Sequence, residues 1–289
     1  MNYPRQAGTA RSVTDDWAGI AGRRGLSNLG PLEAMLAPIA RDLLLRAGFA
    51  PGERGVDIGC GGGLQSLQIS RAVGPTGSVV GVDIASDLVA TATERARQAG
   101  ASNLQFIVGN AETTQLPSPH YDRLFSQFGT LYFQSPSAGY ANLARMLRPG
   151  GGRGDFAVWG PPEQNGCAGD VMRVVDGYID LPPPVSRAPG PFGFSDPDYI
   201  TSLRGGAGFG RGDLVPWRGV LAVGGPGLCP SDAVRFTARI MDFDRLLDRV
   251  AATARARLRD ERMQLFAAHH SPGERVRMPA MTWLVAAQR

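Results

Sequence analysis

The sequence predicts an α/β fold in which a mostly parallel sheet carries helices on both faces. Two observations carry this prediction. Apolar strand patterns alternate with helical patterns from residue 54 to residue 160, an order typical of a parallel sheet covered by helices. Short turns rich in glycine follow two of the strand patterns, as they do where strands of such a sheet lead into helices.

One helix is predicted before the sheet, over residues 31–48. Its apolar side chains recur at helical spacing, Pro31 suits the first turn and Gly48 suits the end. Residues 1–30 are polar and lack the apolar segment of a secretory signal. We expect them to cover the N-terminal side of the fold, although their arginines leave an organelle presequence open.

The first strand pattern, residues 56–58, leads into the glycine turn formed by Gly59, Gly61 and Gly63. Glycine is needed where the backbone takes a positive φ or where a ligand touches the main chain. The turn therefore predicts a nucleotide-like cofactor at the carboxyl end of the strand. A dinucleotide fingerprint would need glycine where Leu64 stands, and a P-loop would need lysine, which the chain lacks. This spacing disfavours a nicotinamide-dependent dehydrogenase.

The next two strands also end in polar groups. Residues 78–83 form a strand pattern that ends in Asp83, where a carboxylate can accept hydrogen bonds from both hydroxyls of a ribose. Ser86 is predicted to cap the following helix. Residues 104–108 form the third strand pattern and lead into Gly109-Asn110-Ala111-Glu112.

The remaining core elements complete the alternation. A fourth strand is predicted over residues 121–128 and a helix over 138–147, which stops at a proline and three glycines. A fifth strand follows over 155–159. Past it, the sequence predicts a short helix near 171–178, proline-rich loops that include 181–184, a helix over 196–204, a strand over 212–223, helical sequence over 231–269 and a strand over 281–287.

Four of these segments, in this order and spacing, resemble the motifs of class I S-adenosylmethionine (SAM)-dependent methyltransferases. They are Asp57-x-Gly-x-Gly-x-Gly, Asp83, Gly109-Asn110-Ala111 and Leu147-Arg148-Pro149-Gly150-Gly151. The likeness covers residues 54–160 well and is greatest to small-molecule enzymes related to those of ubiquinone and menaquinone biosynthesis. It implies a Rossmann-like sheet of seven strands with an antiparallel last strand, SAM as cofactor and S-adenosylhomocysteine as product.

The resemblance also assigns cofactor contacts. The glycine turn would accommodate the methionine portion, with Asp57 organising its end, Asp83 would hold the ribose, and the turn at Asn110 would contact adenine. Asn110 stands where the family usually has aspartate, and an amide can still bond the adenine edge. The expected cofactor-binding residues are Asp57, Gly59, Cys60, Gly61, Gly63, Asp83, Ile84, Asn110, Ala111, Glu112, Ser126 and Gln127.

Methyl transfer is an in-line displacement that depends mainly on alignment of donor and acceptor, and a base can help to remove the acceptor's proton. The chain has three histidines. His120 precedes the fourth strand and is expected on the surface away from the cofactor. The candidates for a base are therefore His269, His270 and Tyr132. The residues expected to line the acceptor site are Phe128, Tyr132, Trp159, Tyr178, Phe192 and Phe194.

The segment after the fourth strand, Ser126-Gln127-Phe128-Gly129, lacks the Asn/Asp-Pro-Pro-Tyr/Phe sequence common in methyltransferases of nucleobase and amide nitrogens. The aromatic and proline content of 159–194 instead favours a small, fairly apolar acceptor, aromatic or a secondary metabolite, methylated at O, C or N. Two alternatives stay open. One is other chemistry at the same SAM site, such as cyclisation or decarboxylation, and the other is a SAM-binding accessory subunit without catalysis.

These patterns divide the chain into a helical N-terminal cover (1–50), a SAM-binding core (51–160), a lid over the acceptor (161–200) and a C-terminal part of the sheet (201–289) with a helical insertion at about 231–270. The three cysteines fit no disulfide or metal pattern, so no metal is predicted and a reducing cytoplasm is expected.

The net charge of +4 comes entirely from arginine, which suggests G+C-rich bacterial coding. Arg255, Arg257, Arg259 and Arg262 are interleaved with Asp260 and Glu261 and are expected on a solvated helix face rather than against nucleic acid. No run is long enough to span a bilayer. The expected partner is a small-molecule acceptor, with no nucleic acid and no membrane insertion, and the sequence leaves a homodimer open.

Overall fold

The computed structural model describes residues 13–116, 120–179, 185, 187–225, 229–242 and 250–289. Within these residues one sheet of seven strands forms the centre of the fold. The strands are β1 (Arg54–Ile58), β2 (Ser78–Asp83), β3 (Leu104–Val108), β4 (Arg123–Gln127), β5 (Arg153–Trp159), β6 (Leu214–Ala222) and β7 (Arg277–Gln288).

The strands lie in the order β3-β2-β1-β4-β5-β7-β6. Strands β1 to β5 pair in parallel, whereas β7 runs antiparallel to both β5 and β6. The predicted Rossmann-like sheet with an antiparallel last strand is therefore confirmed. Because the strand order reverses between β1 and β4, a cleft opens at the carboxyl ends of these two strands, where ligands of such sheets bind.

Ten α-helices surround the described part of the sheet. They are α1 (Val13–Ala18), α2 (Ile20–Ser27), α3 (Leu29–Ala47), α4 (Leu64–Val73), α5 (Ser86–Gln98), α6 (Pro136–Met146), α7 (Gly166–Asp176), α8 (Pro197–Gly206), α9 (Pro230–Ile240) and α10 (Ala252–Ala267). Two short 3-10 helices, Gly129–Tyr132 and Pro162–Gln164, follow β4 and β5. None of these helices combines the length and apolar character needed to cross a membrane.

The central strands are buried because helices cover both faces of the sheet. Val56 and Ile58 of β1 and Leu124 and Phe125 of β4 are fully buried. Helix α3 packs beside them and ends at Gly48, whose φ of 59° is the left-handed conformation that glycine favours at a helix end. This helix begins at Leu29, so Pro31 lies in its first turn as expected.

The structure corrects the expected cap of α5. Ser86 is the first residue of the helix, and the capping position belongs to Ala85, which has no side-chain cap. The Asp83 carboxylate instead accepts a hydrogen bond from the Ala85 N–H at 2.9 Å. The preceding strand therefore supplies the acceptor that the first turn of the helix needs.

The helical sequence over 231–269 is interrupted. Helix α9 ends at Ile240, and Asp242 has a φ of 56°, which a continuing helix cannot contain. Residues 243–249, which belong to this predicted helical sequence, lie outside the described residues, as does the proline run 181–184.

The arginine-rich face of α10 is only partly solvated. Arg255, Arg257 and Arg259 are exposed, but Arg262 is only 2% exposed, contrary to expectation. Its guanidinium donates to the Val234 carbonyl at 2.7 Å and to the Thr237 hydroxyl at 2.8 Å, both on α9. Arg262 therefore joins α10 to α9. The two oxygens also offset the free-energy cost of burying its charge.

Candidate cofactor and acceptor site

The glycine turn after β1 has the conformation that its sequence predicts. Gly59, Gly61 and Gly63 have φ values of 68°, 53° and 78°, which side chains other than glycine rarely adopt. The Gly59 N–H donates to the Val82 carbonyl at 2.8 Å, and this bond ties the turn to β2. A Cβ on Gly59 would lie 2.5 Å from the Gly129 Cα, so the turn also packs directly on the loop after β4.

Gly61 differs from its neighbours because its free side faces open space. A Cβ at this position would have no atom within 4 Å, and Gly61 lines the large cavity of the site. The turn therefore offers bare backbone to a ligand at the one glycine of the three that packing does not occupy. Such a cradle fits a cofactor that lies against the main chain.

Asp83 at the end of β2 organises this cradle. Its carboxylate accepts hydrogen bonds from the Gly61 N–H and the Ala85 N–H, both at 2.9 Å. Burial raises the pKa of Asp83, and the backbone N–H groups oppose that rise. A carboxylate offers about four acceptor sites, so acceptor capacity remains for the hydroxyls of a ligand in the adjoining cavity.

Asp57 lies beneath the turn and is only 2% exposed. The Ser66 hydroxyl donates to its carboxylate at 2.6 Å. Burial raises the pKa of Asp57 to about 7, the Ser66 hydrogen bond opposes the rise and the nearby Asp83 charge adds to it. The group therefore changes its charge in the physiological range, where the charge of a bound ligand can shift it.

The turn after β3 is fixed by its own side chains. The Asn110 side-chain carbonyl accepts from the Glu112 N–H at 3.0 Å. The Glu112 carboxylate accepts from the Ser135 N–H at 2.6 Å and so ties the turn to the start of α6. Asn110, Ala111 and Glu112 all line the large cavity.

The cavity has a volume of about 420 Å³, within the range of small-molecule sites. Phe128, which has a φ of 66°, stacks on Trp159 with the ring centroids 4.3 Å apart and 12° between the planes. Apolar side chains from several parts of the chain complete this wall. They include Leu32, Met35, Leu36, Tyr132, Phe133, Cys167, Phe192, Ile240 and Met241.

A smaller cavity of about 140 Å³ adjoins the other side of the turn and shares Gly59, Gly61 and Gln127 with the first. Asp57 and Cys60 line it. Most of the expected site residues thus lie around one of the two cavities. Those around the large cavity are Gly59, Gly61, Asp83, Ile84, Asn110, Ala111, Glu112, Gln127, Phe128, Tyr132, Trp159 and Phe192.

Two expected cofactor contacts do not line either cavity. Gly63 occupies the capping position before α4, and a Cβ there would meet Ala92 and Phe106 at 2.8 Å, so it serves the packing of the turn. Ser126 is buried, and its hydroxyl donates to the Ile58 carbonyl at 2.8 Å, which joins β4 to β1. The structure places both residues behind the surface that a cofactor would touch.

Two aromatic residues expected in the acceptor wall also lie elsewhere. The Tyr178 hydroxyl donates to the Glu261 carboxylate on α10, away from the cavity. Phe194 is fully buried and stacks on Tyr140 with ring centroids 5.9 Å apart. The expectation treated every aromatic residue of 159–194 as wall, whereas these two fill an interhelical contact and the core.

The three candidates for a base do not gain support. His269 and His270 end the α10 region, where His270 pairs with Val276, and neither lines the cavity. His120 is exposed, as expected. Tyr132 does line the cavity, but burial raises the pKa of Tyr132 to about 12. Its phenol therefore stays protonated near neutral pH and can donate a hydrogen bond but not remove a proton.

The N-terminal wall of the cavity is formed by residues that were not predicted from the sequence. Trp17, Ala21 and Arg24 line it from α1 and α2, and the Trp17 ring lies 4.7 Å from that of Tyr132. Arg24 pairs with Asp242 at 2.7 Å and so links α2 to the residues after α9. Their spacing of four and three residues is the helical signal that identifies one face, although Gly19 separates α1 from α2 and Gly22 also lies between them.

The sheet order, the glycine cradle, the acid at the end of β2 and the turn after β3 together define a class I SAM-dependent methyltransferase domain. The family model described as "Methyltransferase domain" matches residues 56–151, and the resemblance that the motifs predicted is confirmed. S-adenosylmethionine is the cofactor of this class, and the Gly61 cradle beside Asp83 fits it.

Several known proteins are similar to this chain. Nocamycin O-methyltransferase of Saccharothrix syringae is 30% identical over 162 residues, which are 56% of this chain and 55% of that protein. The ubiquinone/menaquinone biosynthesis C-methyltransferase UbiE of Shewanella pealeana is 33% identical over 36% of this chain and 42% of its own length. The chain thus spans about half the length of the curated relatives it matches.

Among solved structures, the YcgJ protein of Bacillus subtilis superposes with a TM-score of 0.57 at 18% identity, covering 86% of this chain and 97% of YcgJ. At this identity the likeness concerns the fold. It supports the sheet order described above over most of the chain.

Proposed function

We propose that the protein transfers the methyl group of S-adenosylmethionine to O, C or N of a small, largely apolar acceptor. The single observation that carries this proposal is the junction of two surfaces in one cavity. Asp83 and Gly61 form a polar cradle of backbone and carboxylate, and the Phe128–Trp159 stack forms part of an aromatic wall in the same space. The names of the relatives favour O or C as the methylated atom.

S-adenosylmethionine would supply a methyl group already activated by a positive sulfur. The contribution of the chain is to bind and orient. Asp83 would accept hydrogen bonds from the ribose hydroxyls, and Gly61 would allow the ligand to lie against the main chain. Asn110 would face the adenine ring. Asp57, close to the turn, would balance the positive end of the methionine portion. Alignment of this kind supplies a large part of the barrier reduction in two-substrate reactions.

The acceptor would be held by packing and one hydrogen bond. The aromatic wall excludes water, and the protonated Tyr132 hydroxyl would donate to an oxygen of the acceptor. The ionisable residues of the described cavity lining are Arg24, Asp83, Glu112, Tyr132 and Cys167. Burial raises the pKa of Cys167 to about 11, so the thiol also stays protonated. We therefore propose an acceptor that needs no strong base from Tyr132 or Cys167.

Binding of S-adenosylhomocysteine is expected to weaken as the pH falls from 7.5 to 5.5. The positive end of the ligand prefers ionised Asp57, and the pKa of Asp57 in the free protein is about 7, so protonation competes with binding. Calorimetry should show Kd rising about tenfold per pH unit once the pH lies below that pKa.

Asp83 also has a raised pKa, so Asp57→Asn is the control for this pH dependence. Its Kd should be weaker at pH 7.5 and nearly constant down to pH 6. A wild-type Kd independent of pH would contradict the assigned role of Asp57, and an equally steep dependence in Asp57→Asn would transfer the effect to Asp83.

Tyr132→Phe is expected to weaken binding of the acceptor and to leave binding of the cofactor unchanged. The ring and its contact with Trp17 are kept, so Kd for S-adenosylhomocysteine should change less than about twofold. Loss of one hydrogen bond should raise KM for the acceptor about fivefold to tenfold. Steady-state kinetics at saturating SAM measure this. An acceptor KM equal to that of the wild type would remove Tyr132 from the acceptor site.

The proposed function is tested by incubation with SAM and a panel of phenols, enols, carboxylic acids and amines of aromatic character. Formation of S-adenosylhomocysteine and a mass gain of one methylene in the acceptor are measured together by mass spectrometry. Binding of SAM without either product across the panel would favour the alternative, in which the same site serves chemistry other than methyl transfer. Failure to bind SAM would contradict both.

A further inference from the structure

Arg95 of α5 reaches the centre of the glycine turn. One guanidinium nitrogen, Nη1, donates to the Gly62 carbonyl at 2.9 Å and to the Glu33 carboxylate at 2.6 Å. The other, Nη2, donates to the second oxygen of Glu33 at 3.1 Å. Arg95 therefore holds a carboxylate in a two-pronged pair and a backbone carbonyl of the turn at the same time.

This contact acts on the part of the turn that its backbone holds least. The Gly61 N–H is fixed by Asp83, and the Gly63 N–H donates to the Cys60 carbonyl at 2.9 Å. Gly62 lies between them. Glycines have more conformational freedom than other residues, so a charge-assisted hydrogen bond to the Gly62 carbonyl restricts the turn where restriction is needed.

Glu33 connects the same point to α3. That helix contributes Leu29, Leu32, Met35 and Leu36 to the large cavity. Glu33 and Gly62 also line the smaller cavity beside Asp57. A Cβ on Gly62 would lie 2.5 Å from the Leu29 side chain and 2.7 Å from Arg95, so helix, turn and guanidinium are in close contact.

The Arg95–Glu33 ion pair is sheltered enough from solvent to hold both side chains in one orientation. The Arg95 side chain is 32% exposed and that of Glu33 17%. The planar guanidinium matches both carboxylate oxygens, which sets its orientation more precisely than a lysine ammonium would. Arg97 on the same helix also pairs with an acid, Glu94, but those side chains are 72% and 48% exposed, and the pair touches no part of the turn.

We propose that Arg95, oriented by Glu33, is a positioning residue that holds the glycine turn in its cofactor-binding shape and sets α3 at a fixed distance from it. The proposal rests on SAM binding at this turn. Arg95 acts through the Gly62 backbone and would not itself contact the ligand. It links the cofactor cradle to a wall of the acceptor cavity. Loss of Arg95 should therefore weaken binding of the cofactor more than binding of the acceptor.

The test compares Arg95→Ala, Arg95→Lys and Glu33→Gln with Arg97→Ala as the matched surface control. Calorimetry with S-adenosylhomocysteine should give a Kd about tenfold higher for Arg95→Ala. Smaller increases are expected for Arg95→Lys and Glu33→Gln, and less than twofold for Arg97→Ala. Hydrogen exchange of the backbone amides from Gly61 to Leu64 should accelerate in the first three variants and not in the control.

Kinetics with an accepted substrate should show KM for SAM rising while kcat stays within about twofold, which loss of stability alone would not produce. Wild-type Kd and wild-type amide exchange in Arg95→Ala would overturn the proposal. If Arg95→Ala does not fold, equal Kd and exchange in Arg95→Lys, Glu33→Gln and the wild type would overturn it. Failure of the wild-type protein to bind S-adenosylhomocysteine would instead refute the proposed function.

Discussion

Asp83→Ala is expected to raise Kd for S-adenosylhomocysteine by about 100-fold or more. Each hydrogen bond from a ligand hydroxyl to a charged carboxylate contributes about 1.5–3 kcal/mol, and two of them would be lost. The change also leaves the Gly61 and Ala85 N–H groups without their acceptor. Calorimetry gives Kd, and thermal unfolding measures how much of the effect comes from loss of fold.

Two further variants separate the contributions. Asp83→Asn keeps one carbonyl acceptor and should bind better than Asp83→Ala but worse than the wild type. Asp87→Ala removes an exposed acid from the first turn of α5, the helix that follows Asp83, and should leave Kd unchanged. A wild-type Kd in a folded Asp83→Ala protein would show that the ribose is bound elsewhere.

Gly61→Ala is expected to weaken cofactor binding strongly while the fold survives. A Cβ at this position meets no protein atom within 4 Å, so the protein loses only the cost of a left-handed alanine, about 1 kcal/mol. The added methyl group would stand in the cradle. We expect Kd for S-adenosylhomocysteine to rise at least about 100-fold, with a Tm lowered by only a few degrees.

Gly59→Ala is the contrasting variant. Its Cβ would lie 2.5 Å from the Gly129 Cα, and backbone on both sides leaves little room for adjustment. Steric overlap and the positive φ together should lower the free energy of unfolding by about 2–4 kcal/mol. This loss is measured as a large fall in Tm. Equal stability losses in Gly59→Ala and Gly61→Ala would show that the open side of Gly61 is not as described.

Those features of the fold that depend on local sequence could be predicted. The bounds of β2 and β3 agree with the predicted segments 78–83 and 104–108. For β2 the reason is that a buried parallel strand is a continuous apolar segment between turns, whereas β3 is a half-buried edge strand and was identified from its β-branched and aromatic residues and the glycine turn after it. The glycine turn and Asp83 were also identified from sequence, since closely spaced glycines and an acid at the end of an apolar run are visible there directly. Asp83 and the glycines Gly59 and Gly61 line the large cavity at the carboxyl ends of the strands, where the sequence predicted a cofactor.

The acceptor wall could not be predicted in the same way. Phe192 and Phe194 are neighbours in one apolar loop, yet Phe192 lines the cavity and Phe194 is core. Which aromatic residue faces the cavity depends on how that loop packs against α6 and α8, and composition does not encode this. Trp17 was missed because its contact with Tyr132 joins segments far apart in sequence.

The cavity wall draws on distant parts of the chain, with a consequence for how such a protein diversifies. The cradle residues lie within 56–151, whereas Trp17, Arg24, Trp159, Phe192 and Met241 lie outside that range. Substitutions in those outlying segments can reshape the acceptor space and leave the donor cradle intact. New acceptors are therefore accessible to mutation in small steps, each of which preserves a working donor site.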